Sequence, residues 1–418
     1  MSRKGESTHH MKYIWQNKSW PGFKWDSAKL LKPLGNIRFS QGSLLTQIKE
    51  LGFEIQQTAR ADILVEEALK TSAIEGEKLD PDAVRSSVGH WLGLSDAGLK
   101  EVRDQKIEGL VEILLDATGN YSKAMTVERI WGWHAALFPT GYSGRVKISV
   151  GQWRDDSKGP MQIFSGPVGQ EKIHFQAPPA KKIDNEMQTF ISWINTKDQL
   201  DGIIKAGLAH IWFVTIHPFD DGNGRIARTL TDMLLARDEN NPKRFYSLSS
   251  QMMAERNDYY DILKATQAGT GDITEWLQWF LECMNRAILN SNALLKKVMT
   301  KARFWQEFAQ TRLNNRQTKV INRLLDAGNG GFEGGLKNKK YIGIAHTSRA
   351  TAQRELADLV NKGILIKMPG GGRSASYDLD WEKWSLLILI GENVGSVLHL
   401  KSNLKMEKSC EKNTSFYL

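Results

Sequence analysis

The chain has 418 residues, with 56 Lys and Arg against 47 Asp and Glu, a formal net charge of +9. That length holds two or three domains, and the 41% apolar and 25% charged fractions are those of a water-soluble globular protein, which excludes a disordered or fibrous chain. Cys283 and Cys410 are too few for a disulfide framework and suit a reducing, cytoplasmic setting. No stretch reaches the roughly 20 apolar residues of a membrane-spanning helix, and the polar first residues lack the apolar core of a signal peptide, so no membrane association is expected.

Residues 1–10 are polar and read as a disordered extension. Tyr13, Trp15, Trp20, Phe23 and Trp25 read as a small aromatic core that ties the N-terminus down. Residues 42–70 carry Leu44, Leu45, Ile48, Leu51, Ile55, Ile63, Leu64 and Leu69 at helical spacing and predict one long helix. Its end, Thr71-Ser72-Ala73-Ile74-Glu75-Gly76, has Gly76 placed as a cap. More helix is expected over 80–117, starting at Pro81, and over 126–138, with Thr126 as N-cap and His134 as a core or interface histidine. Residues 141–179 change character. They are rich in Gly and Pro, with β-prone pieces at 146–150, 161–164 and 172–176 that predict a hairpin before Pro178-Pro179. Met187, Phe190, Ile191, Trp193 and Ile194 predict another core helix.

The apolar run 206–216 is long enough for a buried helix that must stop at Pro218. There follows His217-Pro218-Phe219-Asp220-Asp221-Gly222-Asn223-Gly224-Arg225-Ile226-Ala227-Arg228, and then Leu230, Met233 and Leu234 at helical spacing. This is a tight loop leading into a helix N-terminus. Gly222, Asn223 and Gly224 let backbone N–H groups approach a ligand, and the helix dipole favours an anion there. Arg225 and Arg228 rise from one turn and suit a polyphosphate, each guanidinium binding phosphate oxygens in a bidentate way. Asp221 is a hard oxygen ligand of the kind Mg²⁺ on a nucleotide requires. His217 is placed to take a proton from an attacking hydroxyl. Together these groups make a nucleotidyl- or phosphoryl-transfer site. No Gly-Lys-Ser/Thr follows, which excludes a P-loop, and a helix rather than a strand precedes, which excludes a dinucleotide fingerprint. A zinc site from His210 and His217 lacks a third ligand nearby.

His-Pro-Phe-x-Asp-Gly-Asn-Gly-Arg-x-x-Arg resembles the signature of the Fic (filamentation induced by cAMP) family at every fixed position. The resemblance implies a mainly α fold: a helical core with a small β-hairpin flap that moves AMP from Mg·ATP to a Ser, Thr or Tyr hydroxyl of a target protein. It casts His217 as general base and Asp221 as Mg²⁺ ligand. Gly222, Asn223 and Gly224 become the cradle for the α and β phosphates, Arg225 and Arg228 the holders of the β and γ phosphates, and Phe219 a core anchor. Thr71-x-x-x-Glu75-Gly76 resembles the family's inhibitory motif, which implies that Glu75 pairs with Arg228 and denies it to the γ-phosphate. The hairpin matches the family's flap, with Ile163, Ile173 and His174 facing a target segment added as a strand. Gly151-x-Trp153-Arg154 resembles the family's Gly-x-Tyr-Arg with Trp for Tyr. Tyr259 and Tyr260 are either core aromatics or the wall against adenine.

Residues 273–289, with Trp276, Trp279 and Phe280, predict a helix that closes this core. From about residue 300 a second unit begins. Helices are expected over 316–325, 339–344 and 349–361, the last capped by Thr347-Ser348, then strands over 363–367 and 375–379. That order is a winged helix-turn-helix. Residues 301–380 carry 14 Lys and Arg against 7 Asp and Glu. The surplus favours DNA, with Arg349 and Arg354 on the recognition helix and Arg373 in the wing, while protein contact or homodimerisation stays open.

The expected organisation is an N-terminal helical region 1–105 bearing the inhibitory motif, a catalytic core 106–295, a winged helix 300–380 and an unassigned tail 381–418. Two rival functions stay open beside AMP transfer. One is removal of AMP from modified proteins by the same site. The other is a DNA-binding regulator whose nucleotide site only senses.

Overall fold

The computed structural model describes residues 13–49, 51–94, 104–157, 159–165, 172–332, 334–369 and 375–381. The chain divides into two compact units, 1–292 and 293–418.

The first unit is built around α7 (Gly202–Ile216), whose residues from Ile203 to Ile216 are all buried. A helix that is apolar all round has no solvent face to offer, so others must enclose it. Asp201 starts it, its carboxylate accepting from the Ile203 and Ile204 N–H groups. α8 (Asn223–Glu239) packs against α7 and is buried from Arg225 to Ala236. α6 (Ile183–Asn195) brings Phe190 and Trp193 onto Trp212.

Around these lie α1 (Ser27–Lys49), α2 (Phe53–Ile74), α3 (Pro81–Leu92), α4 (Gln105–Gly119), α5 (Val127–Leu137), α9 (Leu248–Ala254) and α10 (Arg256–Gln267). α11 (Thr274–Glu307) starts in this unit and runs on past residue 292. α2 packs on α3, α8 and α9, so residues on both sides of position 105 share one unit.

The single helix expected over 42–70 is two. Gly52 takes an extended conformation as N-cap of α2, and the Gln56 amide donates to the Ile48 carbonyl in the last turn of α1 and to the Leu51 carbonyl just beyond it. Those carbonyls then have partners without a continuing helix. α1 also starts fifteen residues earlier than expected and carries Pro33 inside it. Thr126 caps α5 as expected.

The N-terminal aromatics do tie the chain down. Tyr13 meets Phe175 edge-on, the Trp15 indole N–H donates to the Gln176 carbonyl at 2.7 Å, and Trp20 packs on Phe23 and Trp212.

Two small hairpins complete the unit. β1 (Tyr142–Ser143) pairs with β2 (Val146–Lys147), much shorter than the strand expected over 146–150. β3 (Gln162–Ser165) pairs antiparallel with β4 (Lys172–Gln176) in the register Gln162↔Gln176 and Phe164↔Ile173, with a bulge between Ile163 and Phe164. Ile163, Phe164 and Ile173 are exposed, while Phe175 is buried against Tyr13.

The second unit holds α12 (Asn315–Ala327), α13 (Asn338–Ala345), α14 (Arg349–Asn361) and a hairpin of β5 (Ile366–Lys367) with β6 (Tyr377–Asp378). Val320, Ile321, Leu324, Tyr341, Leu356, Leu359 and Ile364 form its core with Phe304. Glu355, buried, takes hydrogen bonds from Asn314, Arg316 and Tyr341 and so ties α12 and α13 to α14. Both strands are shorter than expected. Arg373 and most of the 381–418 tail lie outside the described residues. Among the described residues no helix is long and apolar enough to cross a membrane.

Candidate nucleotide site

α7 ends at His217, which adopts a left-handed conformation, φ 51° and ψ 60°. That conformation costs a non-glycine residue roughly 1–2 kcal/mol, and the surroundings hold it. The buried Arg154 guanidinium donates to the His217 carbonyl at 2.8 Å and to the Pro178 carbonyl at 2.6 Å, and the Arg154 backbone N–H donates to the Pro218 carbonyl. The imidazole Nδ1 lies 3.3 Å from the Val214 carbonyl. A carbonyl can only accept, so Nδ1 carries the proton and the Nε2 lone pair is left for another partner. Burial lowers the His217 pKa to about 4, with the Val214 carbonyl working the other way and Arg154 adding to the decrease. The ring is therefore a neutral base at physiological pH.

The loop after it is a closed structure. Phe219 is fully buried and stacks on His134. Asn223 spans the loop, its amide accepting from the Phe219 N–H and donating to the Phe219 carbonyl. Its side chain is thus committed to the loop, leaving only its backbone for a cradle. Gly222 has φ 83°, and a Cβ there would sit 2.8 Å from the Phe138 ring. Only glycine meets both demands. Asp221 is half-buried; one carboxylate oxygen accepts from the Gly222 N–H at 2.6 Å and the other from the Ser143 hydroxyl. His134 behaves as the core histidine expected: its ring nitrogens bridge the Gly151 N–H and the Asp221 carbonyl, each at 3.2 Å.

The two arginines stand on the first turns of α8 and are 8% and 2% exposed. Arg228 donates from Nε to the Thr71 hydroxyl at 2.7 Å, and from Nη2 to the Thr71 carbonyl at 2.9 Å and the Glu75 carboxylate at 2.6 Å. Burial works against its charge, but Glu75 together with Tyr259 and Tyr260 raises its pKa on balance. Arg225 pairs with Glu77 at 3.1 Å and lies over the Phe138 ring. Each keeps one buried nitrogen, Arg225 Nε and Arg228 Nη1, with no hydrogen-bond partner. A buried guanidinium donor left unpaired is costly. Two at one helix N-terminus fit a ligand rich in acceptor oxygens. The Glu75 carboxylate lies where a side chain on residue 224 would be, so Gly224 makes room for it.

The structure thus brings His217, Asp221, Gly222, Gly224, Arg225, Arg228 and Glu75 together. It separates the two tyrosines. Tyr259 is 2% exposed and its hydroxyl bonds His210 at 2.9 Å, whereas Tyr260 is 38% exposed and donates to the Ile74 carbonyl. His210 commits both ring nitrogens, to Thr231 and Tyr259, and is not a zinc ligand. Among the described residues no cluster of three His, Cys, Asp or Glu could hold a metal alone.

Sequence reasoning missed Glu77, Arg256 and Ser143. An acid two residues past Glu75 and just beyond a turn glycine was a readable signal for the first. Arg256 donates to the Ile74 carbonyl at 2.9 Å, a contact no spacing rule foretells.

Comparison with known proteins gives two family matches. Residues 124–235 match the Fic/DOC family, and residues 13–94 match a domain of unknown function (DUF4172). The chain is 38% identical over 226 residues to the protein adenylyltransferase Fic of Nematostella vectensis, covering 52% of this chain and 46% of that protein. It is 28% identical over 121 residues to a probable protein adenylyltransferase of Aquifex aeolicus, covering 27% and 35%. The chain therefore spans less than half the length of these two relatives. A crystal structure of a Fic family protein from Desulfovibrio desulfuricans aligns with 84% of this chain and 95% of its own, at 17% identity and a TM-score of 0.49.

Proposed function

We infer that this chain, which belongs to the Fic/DOC family through residues 124–235, transfers AMP from ATP to a hydroxyl side chain of a protein. One observation carries the reading: two buried arginines, each with an unpaired N–H donor, converge at a helix N-terminus beside a neutral histidine whose Nε2 is free. The α8 N-terminus and the Gly222–Gly224 backbone cradle the α and β phosphates. Arg225 and Arg228 hold the β and γ phosphates and stabilise charge on the leaving pyrophosphate. His217 Nε2 takes the proton from the target hydroxyl as its oxygen attacks the α-phosphorus. Tyr260, rather than the buried Tyr259, is the aromatic face offered to adenine.

Mg²⁺ keeps several waters and needs only one or two protein carboxylates. Asp221, with hard oxygens at the mouth of the loop, fits that demand and would hold the ion. The ion would neutralise phosphate charge.

Glu75 is read as inhibitory. Its carboxylate holds Arg228 through a charge-assisted hydrogen bond of 2.6 Å, and the γ-phosphate then lacks its partner. The β3–β4 hairpin, with Ile163 and Ile173 exposed and His174 beside them, is read as the edge on which a target segment adds as a strand. For the second unit we favour a DNA-binding winged helix. Arg349, Gln353 and Arg354 form an exposed, acid-free stripe on α14, whereas Glu355 points inward.

The test is incubation with ATP labelled at the α or at the γ position. AMP transfer puts only the α label on protein, and His217→Ala abolishes it while ATP still binds. Labelling from γ instead would make the site a kinase. AMP released from a modified protein, with no transfer, would make it a hydrolase.

A further inference from the structure

The segment after α2 carries two carboxylates into the site, and nothing above assigns the second. Glu75 meets Arg228 and Glu77 meets Arg225, so both arginines of the motif face an acid from the same short turn. Gly76 between them has φ 84°, which reverses the chain so that residues 75 and 77 face the same helix end. The turn is further held by backbone bonds from Glu75 and Glu77 to the Ser72 carbonyl. The two pairs differ in setting. The Glu75 side chain is 30% exposed against an arginine at 2%, and Glu77 is 37% exposed against one at 9%.

We propose that Glu77 is a second regulatory residue, which competes with the β-phosphate for Arg225 as Glu75 competes with the γ-phosphate for Arg228. This rests on the phosphate reading given above. It separates two effects on one turn. Glu75 governs whether a third phosphate can settle, and Glu77 governs how tightly any nucleotide with a β-phosphate is held. The Arg225 guanidinium also lies 5.0 Å over the Phe138 ring, a contact that does not involve Glu77. Removing Glu77 frees a donor and leaves that contact to hold the guanidinium.

The experiment measures ADP and ATP binding by titration calorimetry on the full chain as wild type, Glu77→Gln and Glu75→Gly. A partly exposed ion pair sets the scale, so Glu77→Gln should tighten ADP and ATP alike by about three- to fivefold. The ADP-to-ATP ratio then stays constant. Glu75→Gly should instead shift that ratio toward ATP. Loss of a negative charge could tighten any anion, so the pair is repeated in an Arg225→Gln background, where Glu77→Gln should change nothing. Gln matches Glu in shape, and an unchanged melting temperature shows that the variant folds. ADP affinity within twofold of wild type, or a gain that survives Arg225→Gln, would overturn the proposal. Failure of the phosphate reading looks different: Glu75→Gly would then neither shift the ratio nor promote AMP transfer.

Discussion

His134 and Phe219 lie parallel, ring centroids 4.0 Å apart and planes 4° apart, and this stack fastens the loop before α8 to α5. His134 also holds the Asp221 carbonyl and the Gly151 N–H. Replacing it with Ala empties a buried site and strands two backbone groups, at a cost of roughly 2–4 kcal/mol. Loop displacement of about 1 Å should lower AMP transfer by roughly a hundredfold in an activated background. Transfer at the parent rate in folded His134→Ala would show that the stack is only packing.

The buried histidines set an acid limit on stability. Burial holds His134 and His217 to about 4 and His210 to about 3, whereas an unfolded histidine titrates near 6.5. Between pH 6.5 and about 4 the unfolded chain binds more protons, so stability falls as pH falls, by up to about 1.4 kcal/mol per unit for each histidine. Asp232, raised to about 8 by burial and by Glu67, acts with the opposite sign, but it is one group against three. Urea denaturation at pH 7, 6 and 5 should show declining midpoints, and His210→Gln should flatten the decline. Constant midpoints across that range would contradict the buried-neutral assignment.

Glu75→Gly should raise labelling from α-labelled ATP strongly, by tenfold or more on the order of a lost misalignment. Arg228 should then be essential, so Glu75→Gly with Arg228→Ala should return to background. Arg228→Ala alone should also stay inactive, since it frees Glu75 but loses the phosphate contact. Equal incorporation by wild type and Glu75→Gly would remove Glu75 from any inhibitory role.

Asp221→Asn keeps one acceptor oxygen for the Gly222 N–H, while its NH2 can only donate to the Ser143 hydroxyl, and it removes the charge that would attract a divalent cation. The Mg²⁺ concentration for half-maximal transfer should rise about tenfold or more. Ser143→Ala should act in the other direction, because it releases one Asp221 oxygen. An unchanged Mg²⁺ requirement in Asp221→Asn would place the ion elsewhere.

If α14 reads DNA, binding to mixed-sequence duplex should fall steeply with salt as counterions are released. Arg349→Ala with Arg354→Ala should weaken it and reduce the slope of log K against log salt by about 2. Fluorescence anisotropy at low salt decides this. No binding by the full chain would favour a protein partner for that face.

Much of the site was legible because its chemistry is written contiguously. His217 to Arg228 sit on one loop and one helix turn, and the glycines announce the turn. Glu75 was legible only through family resemblance, since nothing in its local sequence points 153 positions ahead to Arg228. The break at Gly52 was missed because the apolar positions run straight across it, and the Gln56 side chain that takes the Ile48 and Leu51 carbonyls is invisible to periodicity. The tyrosine pair stayed ambiguous for a related reason. Adjacent residues on a helix face different directions, and only the packing of His210 decides which of them is inside.

Arg154 has a consequence beyond His217. Its guanidinium bonds Asp156 at the entry to the β3–β4 segment and the Pro178 carbonyl at its exit, while the Asp156 carboxylate accepts from the Ala180 N–H. The segment between therefore has both ends closed by one side chain. The same guanidinium holds the His217 carbonyl, so the base of the hairpin and the histidine share one anchor.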